Sequence, residues 1–302
     1  MDDPPPTSMI GKADFVSLFA RSLSGGRQGF AAGKLGFSEQ YWLNYPRVLS
    51  AGGDRRAIRA YELGLRTHLE RQSGVYPTTP EFAREFVVRY ASDLRELDVI
   101  GLFGTGMETE LIAHHRARGA LIPYKSMEPD RSVPADDASC YLPLLRGRRL
   151  LIVAPFADLL RERATQDTFE RVWSRIGKRW FHPAQVDSVE FPYGFDPATQ
   201  ARHLTALDLC DWICGRIDSR EFDVALIAAG GLAIPLAAHI KRSGRIAISL
   251  GGHLQVLFGV LGQRWRLRES WSQRYFNDAW IDMPARYRPP HWKQLTDGGA
   301  YW

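Results

Sequence analysis

Only three of the 302 residues are cysteine, and Cys140, Cys210 and Cys214 stand at no spacing that suits a disulfide framework or a metal site. That scarcity fits a reducing compartment. Cys210 and Cys214 lie one helical turn apart in LDLCDWIC, as core residues do. No apolar run reaches the length of a membrane-spanning helix. The opening MDDPPP is acidic and proline-rich and lacks the apolar core of a secretory signal, so a cytoplasmic location is expected. No G-x-S-x-G elbow, Walker loop, H-E-x-x-H or C-x-x-C is present, which weakens hydrolase, kinase and zinc-enzyme readings. No RNP, zinc-finger or helix-turn-helix signature occurs and the arginines are spread out, so no nucleic-acid partner is expected. There is no internal repeat.

What is present is an ordinary globular composition, a net charge of +5 and nine tryptophans. The positive balance suits an anionic substrate or an acidic membrane surface. Residues 1–10 read as a disordered tail, 11–265 as one α/β domain, and 266–302 as an aromatic, basic extension packing on it. Apolar strand runs alternate with amphipathic helix patterns. A helix is expected over Lys12–Leu23, and another capped by Ser38 and running to Tyr45. A third opens at Asp54, and Thr79-Pro80-Glu81 is a cap with proline in the first helical position. One long helix is expected from Asp196 to Ile217. The stretch from Lys125 to Leu145 reads as a linker or a loop over the site. Strand–helix alternation predicts a Rossmann-like, doubly wound, mostly parallel sheet with helices on both faces.

The segment Asp223–Trp265 carries the most information. DVALIAAG and RIAISLGG are two apolar runs that end in Gly230-Gly231 and Gly251-Gly252. Parallel strands ending in glycine turns make a crevice at their carboxyl ends, where ligands of open α/β sheets bind. Glycine permits close approach of backbone N–H groups to a phosphate. A nucleotide is the ligand that this pattern fits best.

Other motifs support more than one reading. GLFGTGMETE places Gly104 and Gly106 after a strand, but Thr109 stands where a dinucleotide fingerprint needs its third small residue. An NAD(P)-dependent oxidoreductase is therefore the least favoured function. GKLGFSEQ sets Lys34 and Glu39 on either side of Gly36. Glu39 there either serves a ligand or proton transfer, or simply favours the helix dipole. Glu128 reads as a solvated loop carboxylate. His253 and Gln255, in the first turn after Gly252, are either ligand contacts or ordinary helix-start residues.

KLGFSEQ, MEP, RRLLIVAPFADLL, GGHLQVLFGVLGQRW and the closing YFNDAW…GGAYW together resemble GT-D-type glycosyltransferases of bacterial O-antigen and capsule clusters. The resemblance spans most of residues 29–302. It implies a glycosyltransferase that moves a sugar from a nucleotide-sugar to a polysaccharide or lipid-linked oligosaccharide, peripheral to an anionic membrane. It makes Glu39 the acid that closes an Asp-Gly-Glu motif and the ligand of a divalent cation, Mn²⁺ or Mg²⁺. Phe37 stands where that motif has its aspartate. It further implies Glu128 as the acceptor-side base, with His253 as the second candidate. Lys34, Gly36, Gly104, Gly106, Gly230, Gly231, Gly251, Gly252, Gln255 and Asn277 are then donor-binding candidates. A non-catalytic nucleotide-sugar or glycan-binding partner in an assembly complex is the alternative.

Overall fold

The computed structural model describes residues 8–26, 28–52, 54–129 and 139–302. Seven strands form the main sheet: β1 (Phe30–Lys34), β2 (Val99–Leu102), β3 (Ala120–Pro123), β4 (Arg149–Ala154), β5 (Gln185–Glu190), β6 (Val224–Ile227) and β7 (Ile246–Ser249). Their order is β3-β2-β1-β7-β6-β4-β5, and every pairing is parallel. The chain builds outward from β1 to β3, then crosses to the far side and returns inward to β7. The change of direction falls between β1 and β7, at the centre of the sheet. This is a Rossmann-like α/β fold.

Side chains alternate between faces along each strand. In β6, Ala225 and Ile227 enter one core while Val224 and Leu226 enter the other. Both faces are covered, as a parallel sheet requires. Helices Phe37–Leu43, Pro80–Leu94, Glu108–His114, Ala206–Asp218 and Ala233–Arg242 cover the first face. Helices Lys12–Ser24, Ala157–Arg163 and Gln166–Val172 cover the second, together with the C-terminal stretch. That stretch is anchored by Trp265, Trp271, Trp280, Met283 and Trp302, all buried. It also contributes β9 (Ile281–Asp282), which pairs in parallel with β8 (Val260–Leu261). Cys210 and Cys214 are buried free thiols in the first core.

The amino ends of the strands are fastened by aspartates. Asp98 accepts from the Ala31 N–H at 2.9 Å and from Lys241 at 2.8 Å. Asp223 accepts from the Arg149 N–H at 2.8 Å and pairs with its guanidinium. With the amino edge closed this way, the carboxyl edge is left for a ligand.

Local capping explains where expectation and structure agree and differ. Asp54 and Thr79 cap their helices through the N–H groups of Arg56 and Phe82. Ser38 does not cap: Gly36 is the N-cap, and the buried Ser38 hydroxyl donates to Gln72 at 2.5 Å. The long helix expected from Asp196 to Ile217 is two helices, Pro197–Arg202 and Ala206–Asp218. A reciprocal capping box between Thr205 and Asp208 starts the second one afresh. Part of the expected N-terminal tail is ordered, with Met9 bridging Leu121 on the edge of β3. Residues 1–7 lie outside the described residues. In the expected loop 125–145, short turns at Tyr124–Met127 and Leu142–Leu145 bury Met127, Leu142 and Leu145, and residues 130–138 lie outside the description. None of the helices among the described residues is long and apolar enough to cross a membrane.

Candidate active site

A cavity of about 580 Å³ runs along the carboxyl edge of the sheet. That is the size of a small-molecule site. Residues following all seven strands line it: Tyr124 and Glu128 after β3, Phe103 after β2, Lys34 and Glu39 at β1, His253 after β7, Gly230 after β6, Phe156 after β4, and Tyr193 and Phe195 after β5. Arg264, Arg268, Tyr301 and Trp302 wall it from the C-terminal stretch.

At its centre three distant segments meet on one carboxylate. Lys34, the last residue of β1, donates to Glu128 Oε1 at 2.9 Å and to the Leu250 carbonyl at 2.8 Å. His253 Nδ1 lies 2.9 Å from the same Glu128 oxygen. Glu128 is wholly buried, not the solvated loop residue that its neighbourhood in sequence suggested. Burial alone would push its carboxyl up, but the Lys34 charge and the His253 contact outweigh it and hold the carboxyl far below the usual range. Glu128 is thus an ionised anchor, chemically unsuited to the role of base that the resemblance implied.

Glu39 has the opposite character. Its carboxyl folds back on Gly36, where a Cβ would sit 2.4 Å from Glu39 Oε2. No ion pair reaches it among the described residues. Desolvation dominates and raises it from 4.5 to about 7, a bond to its own backbone N–H opposing only in part. A carboxyl that titrates near neutrality can take or give a proton under working conditions. Beside it, Ser38, Gln72 and His68 form a hydrogen-bonded row, with His68 Nδ1 3.1 Å from Gln72 Oε1. His68 belongs to the π-helical turn Thr67–Arg71, an irregularity that sites often use.

Several candidates have other work. The N–H groups of Phe103, Gly104 and Thr105 all point at the Glu108 carboxylate, 2.5–3.0 Å away. The loop that a dinucleotide phosphate would need is filled by the chain's own acid, which removes the basis of the oxidoreductase reading. Gly104 and Gly106 do not line the cavity. Gln255 is buried, its amide donating toward the Tyr301 carbonyl at 3.2 Å and the Val260 carbonyl at 3.4 Å. Asn277 donates to the Arg171 and Val172 carbonyls and fastens the C-terminal stretch to a helix end, away from the cavity.

The paired glycines line or border the cavity for reasons of packing. Gly230 and Gly231 let the loop at Ser73–Val75 come close: a Cβ on Gly231 would meet Val75 at 2.5 Å and Trp42 at 2.9 Å. A Cβ on Gly252 would meet Tyr301 at 2.3 Å and Trp265 at 2.8 Å. The Gly251 N–H is turned inward to the Ile227 carbonyl at 3.2 Å. Close approach explains Gly230, Gly231 and Gly252, whereas at Gly251 a Cβ would meet nothing and the glycine answers to a left-handed backbone, φ +56°. Gly231→Ala is accordingly expected to destabilise the fold by about 1–3 kcal/mol through overpacking. Urea denaturation measures this, and an unchanged midpoint would show that the Ser73–Val75 loop can retreat.

Of the two described carboxylates that line the cavity, only Glu39 is left for the divalent cation that the resemblance implied. Among the described residues no group of three or more His, Cys, Asp or Glu is placed to hold a metal. Glu128 is committed to Lys34 and His253, and Phe37 supplies no oxygen.

The residues that sequence reasoning missed are mostly aromatic or basic: Phe103, Tyr124, Tyr193, Phe195, Arg264 and Arg268 all line the cavity. Phe103 and Tyr124 are stacked with centroids 4.0 Å apart, and Phe37, 62% exposed, leans on Phe103. An exposed phenylalanine beside a cavity was a readable signal, but only once Phe37 was known to face outward.

Comparison with known proteins adds two backbone likenesses. A structure of domain of unknown function 1792, described as having a distinct glycosyltransferase fold, aligns over 82% of this chain and 79% of its own, with 12% identity and a TM-score of 0.43. A selenomethionine-substituted structure of the same domain aligns over the same shares at 11% identity and a TM-score of 0.42. No family model and no curated protein matches the sequence. The fold class rests on the sheet order of this chain itself.

Proposed function

We propose that this cavity transfers a sugar from a nucleoside-diphosphate donor to a glycan hydroxyl, with Glu39 as the group that takes the acceptor proton. The observation that carries this reading is the pairing of opposites in one cavity. A carboxyl poised at about 7 stands at the turn that follows Lys34, whose ammonium is fixed by a buried, ionised Glu128. Glycosyl transfer needs a base for the incoming hydroxyl and a positive charge for the departing diphosphate. Glu39 and Lys34 supply these two functions. Glu128 orients Lys34 and His253 and keeps its charge throughout.

The length of the cavity suits two substrates. Tyr193, Phe195 and Trp302 form an aromatic wall at one end, held by the Trp302 indole donating to the Tyr193 hydroxyl at 2.9 Å. Aromatic faces pack well against the C–H face of a pyranose, so this end suits the glycan acceptor. In this reading the acceptor is a growing polysaccharide or lipid-linked oligosaccharide, as the sequence resemblance implies.

The test is a thermal-shift panel of nucleoside-diphosphate sugars followed by an assay for donor hydrolysis and transfer. One donor at a hundredfold excess over its Kd is expected to stabilise the protein by about 2.7 kcal/mol. It should also be turned over. Failure of every donor to shift the melting point sinks the reading. Binding of a donor without turnover would leave the non-catalytic partner in its place.

A further inference from the structure

We infer that Phe37, Phe103 and Tyr124 form a ready-made stacking surface for the base of a nucleotide, at the end of the cavity on the β2–β3 side of Lys34. This rests on the nucleotide-sugar reading above for the class of ligand, and it adds which way round that ligand lies in the cavity.

The three rings come from three separate segments, the turns after β1, β2 and β3, and all line the cavity. Phe37 is 62% exposed, and its ring leans on Phe103 with centroids 5.4 Å apart. Phe103 in turn lies flat on Tyr124, 4.0 Å away and 12° from parallel. A buried polar network sets the rings in place. Glu108 accepts from the N–H groups of Phe103, Gly104 and Thr105, and from Gln40 Nε2 at 3.1 Å. Gln40 also donates to the Leu35 carbonyl at 3.0 Å, and its side-chain oxygen accepts from the Thr105 hydroxyl at 2.6 Å. Gln40 and Glu108 are both buried. Gln40 follows Phe37 by three residues on one helix, so the two share a side of it. Fastening Gln40 to the 103–105 loop therefore holds Phe37 against Phe103. The surface is set before a ligand arrives, which lowers the cost of ordering it on binding.

Its position relative to Lys34 selects a base. The Lys34 ammonium lies 5.6 Å from the centroid of the Tyr124 ring. Neighbouring strands are about 4.8 Å apart, so the turns after β2 and β3 stand one and two spacings from Lys34 at the end of β1. One ribose bridges such a gap between a base and its 5′-phosphates. Phosphate on Lys34 thus brings the base to these rings. The aromatic wall at Tyr193 and Phe195 follows β5, four strands away on the other side, roughly 19 Å by the same spacing. A ribose cannot span that distance, so a base seated there would take its phosphates off Lys34. Every base offers a flat π-face, and aromatic side chains stack on it whichever base is present. Phe37 and Glu39, two residues apart, leave their helix on opposite sides. The base and the proton-taking carboxyl therefore do not compete for one place.

The experiment is calorimetric titration of the full chain with the 5′-monophosphates of adenosine, guanosine, cytidine and uridine, and with glucose 1-phosphate, which has no base. At least one nucleotide is expected to bind. Phe37→Ala should weaken it about tenfold, the usual loss when a stacked ring is removed, and Phe37→Tyr should stay within about twofold of native. Glucose 1-phosphate should show no dependence on residue 37. Saturation-transfer NMR on the native chain needs no variant, and there the base protons should be saturated more strongly than those of the ribose. Nucleotide affinity unchanged by Phe37→Ala overturns the inference, as does failure of all four nucleotides to bind. A matching loss for glucose 1-phosphate also overturns it, by putting a sugar on the rings. A tenfold loss in Phe37→Ala, with no nucleotide-sugar turned over by the native chain, would uphold the inference while sinking the transfer reading. Turnover of a nucleotide-sugar with the same KM in Phe37→Ala and native would do the reverse.

Discussion

On the transfer proposed above, Glu39→Gln is expected to cut the rate by about 10²–10⁴-fold, the usual worth of a positioned acid–base group. Glutamine keeps the size and one acceptor oxygen, so the donor should bind nearly as before. The loss should appear in kcat more than in KM. The native protein should gain transfer activity as pH rises through about 7, where Glu39 ionises, and the variant should lack that limb. Stability moves the other way. The folded carboxyl titrates near 7 and the unfolded one near 4.5, so between these values the folded state holds the extra proton. The stabilisation is complete below 4.5 and is lost as pH rises to about 7, a change of at most about 3 kcal/mol. Chemical denaturation of both forms across pH 4–8 checks the sign. A glutamine variant that keeps full activity, with an unaltered pH profile, removes Glu39 from the mechanism.

Lys34 and Glu39 were legible as a pair because they flank one glycine turn, five residues apart. The sheet was legible for a similar reason: DVALIAAG and RIAISLGG are short apolar runs closed by glycines, and their length and flanks favour buried parallel strands over helix. Thr79-Pro80 announced its helix with local chemistry alone. What failed to show was long-range. Glu128 meets Lys34 across 94 residues and His253 across 125, and no local pattern reports that a loop glutamate will be drawn under the sheet's edge. The same limit hid Glu108, which looks like a helix-start acid until its carboxylate is seen to fill the 103–105 amides. Ser38 looked like a cap because it has a capping side chain, yet Gln72 claims its hydroxyl and Gly36 starts the helix instead. The paired glycines invited a phosphate because glycine is permissive there. Which neighbour uses the missing Cβ, a ligand or Ser73 and Tyr301, is decided by packing that only the fold reveals. Arg264 and Arg268 sat unremarked in a basic stretch, since their value comes from the cavity they wall.

Glu128→Ala is expected to cost about 3–5 kcal/mol, the penalty for breaking a buried pair and stranding its partner. Lys34 would then keep its ammonium in a site of little exposure, with only the Leu250 carbonyl as a close oxygen partner among the described residues. Glu128→Gln should cost less, because an amide oxygen still accepts from Lys34, though without the charge that holds it. The pH dependence distinguishes a charge effect from a packing one. Burial raises the Glu128 carboxyl, but Lys34 and His253 outweigh this and leave its folded value far below the unfolded 4.5. Its stabilisation is therefore fully present above 4.5 and is lost as pH falls below it. This is the opposite slope to that of Glu39, from the same cavity. Acid unfolding of the native chain should be steeper below pH 4.5 than that of Glu128→Gln, while both keep the Glu39 slope between 4.5 and 7. Should Glu128→Ala unfold at the native urea midpoint, the ion pair is not what fastens β1 to the turn after β3. Lys34 would then be free to move, and its preorganised grip on a diphosphate would fail with it.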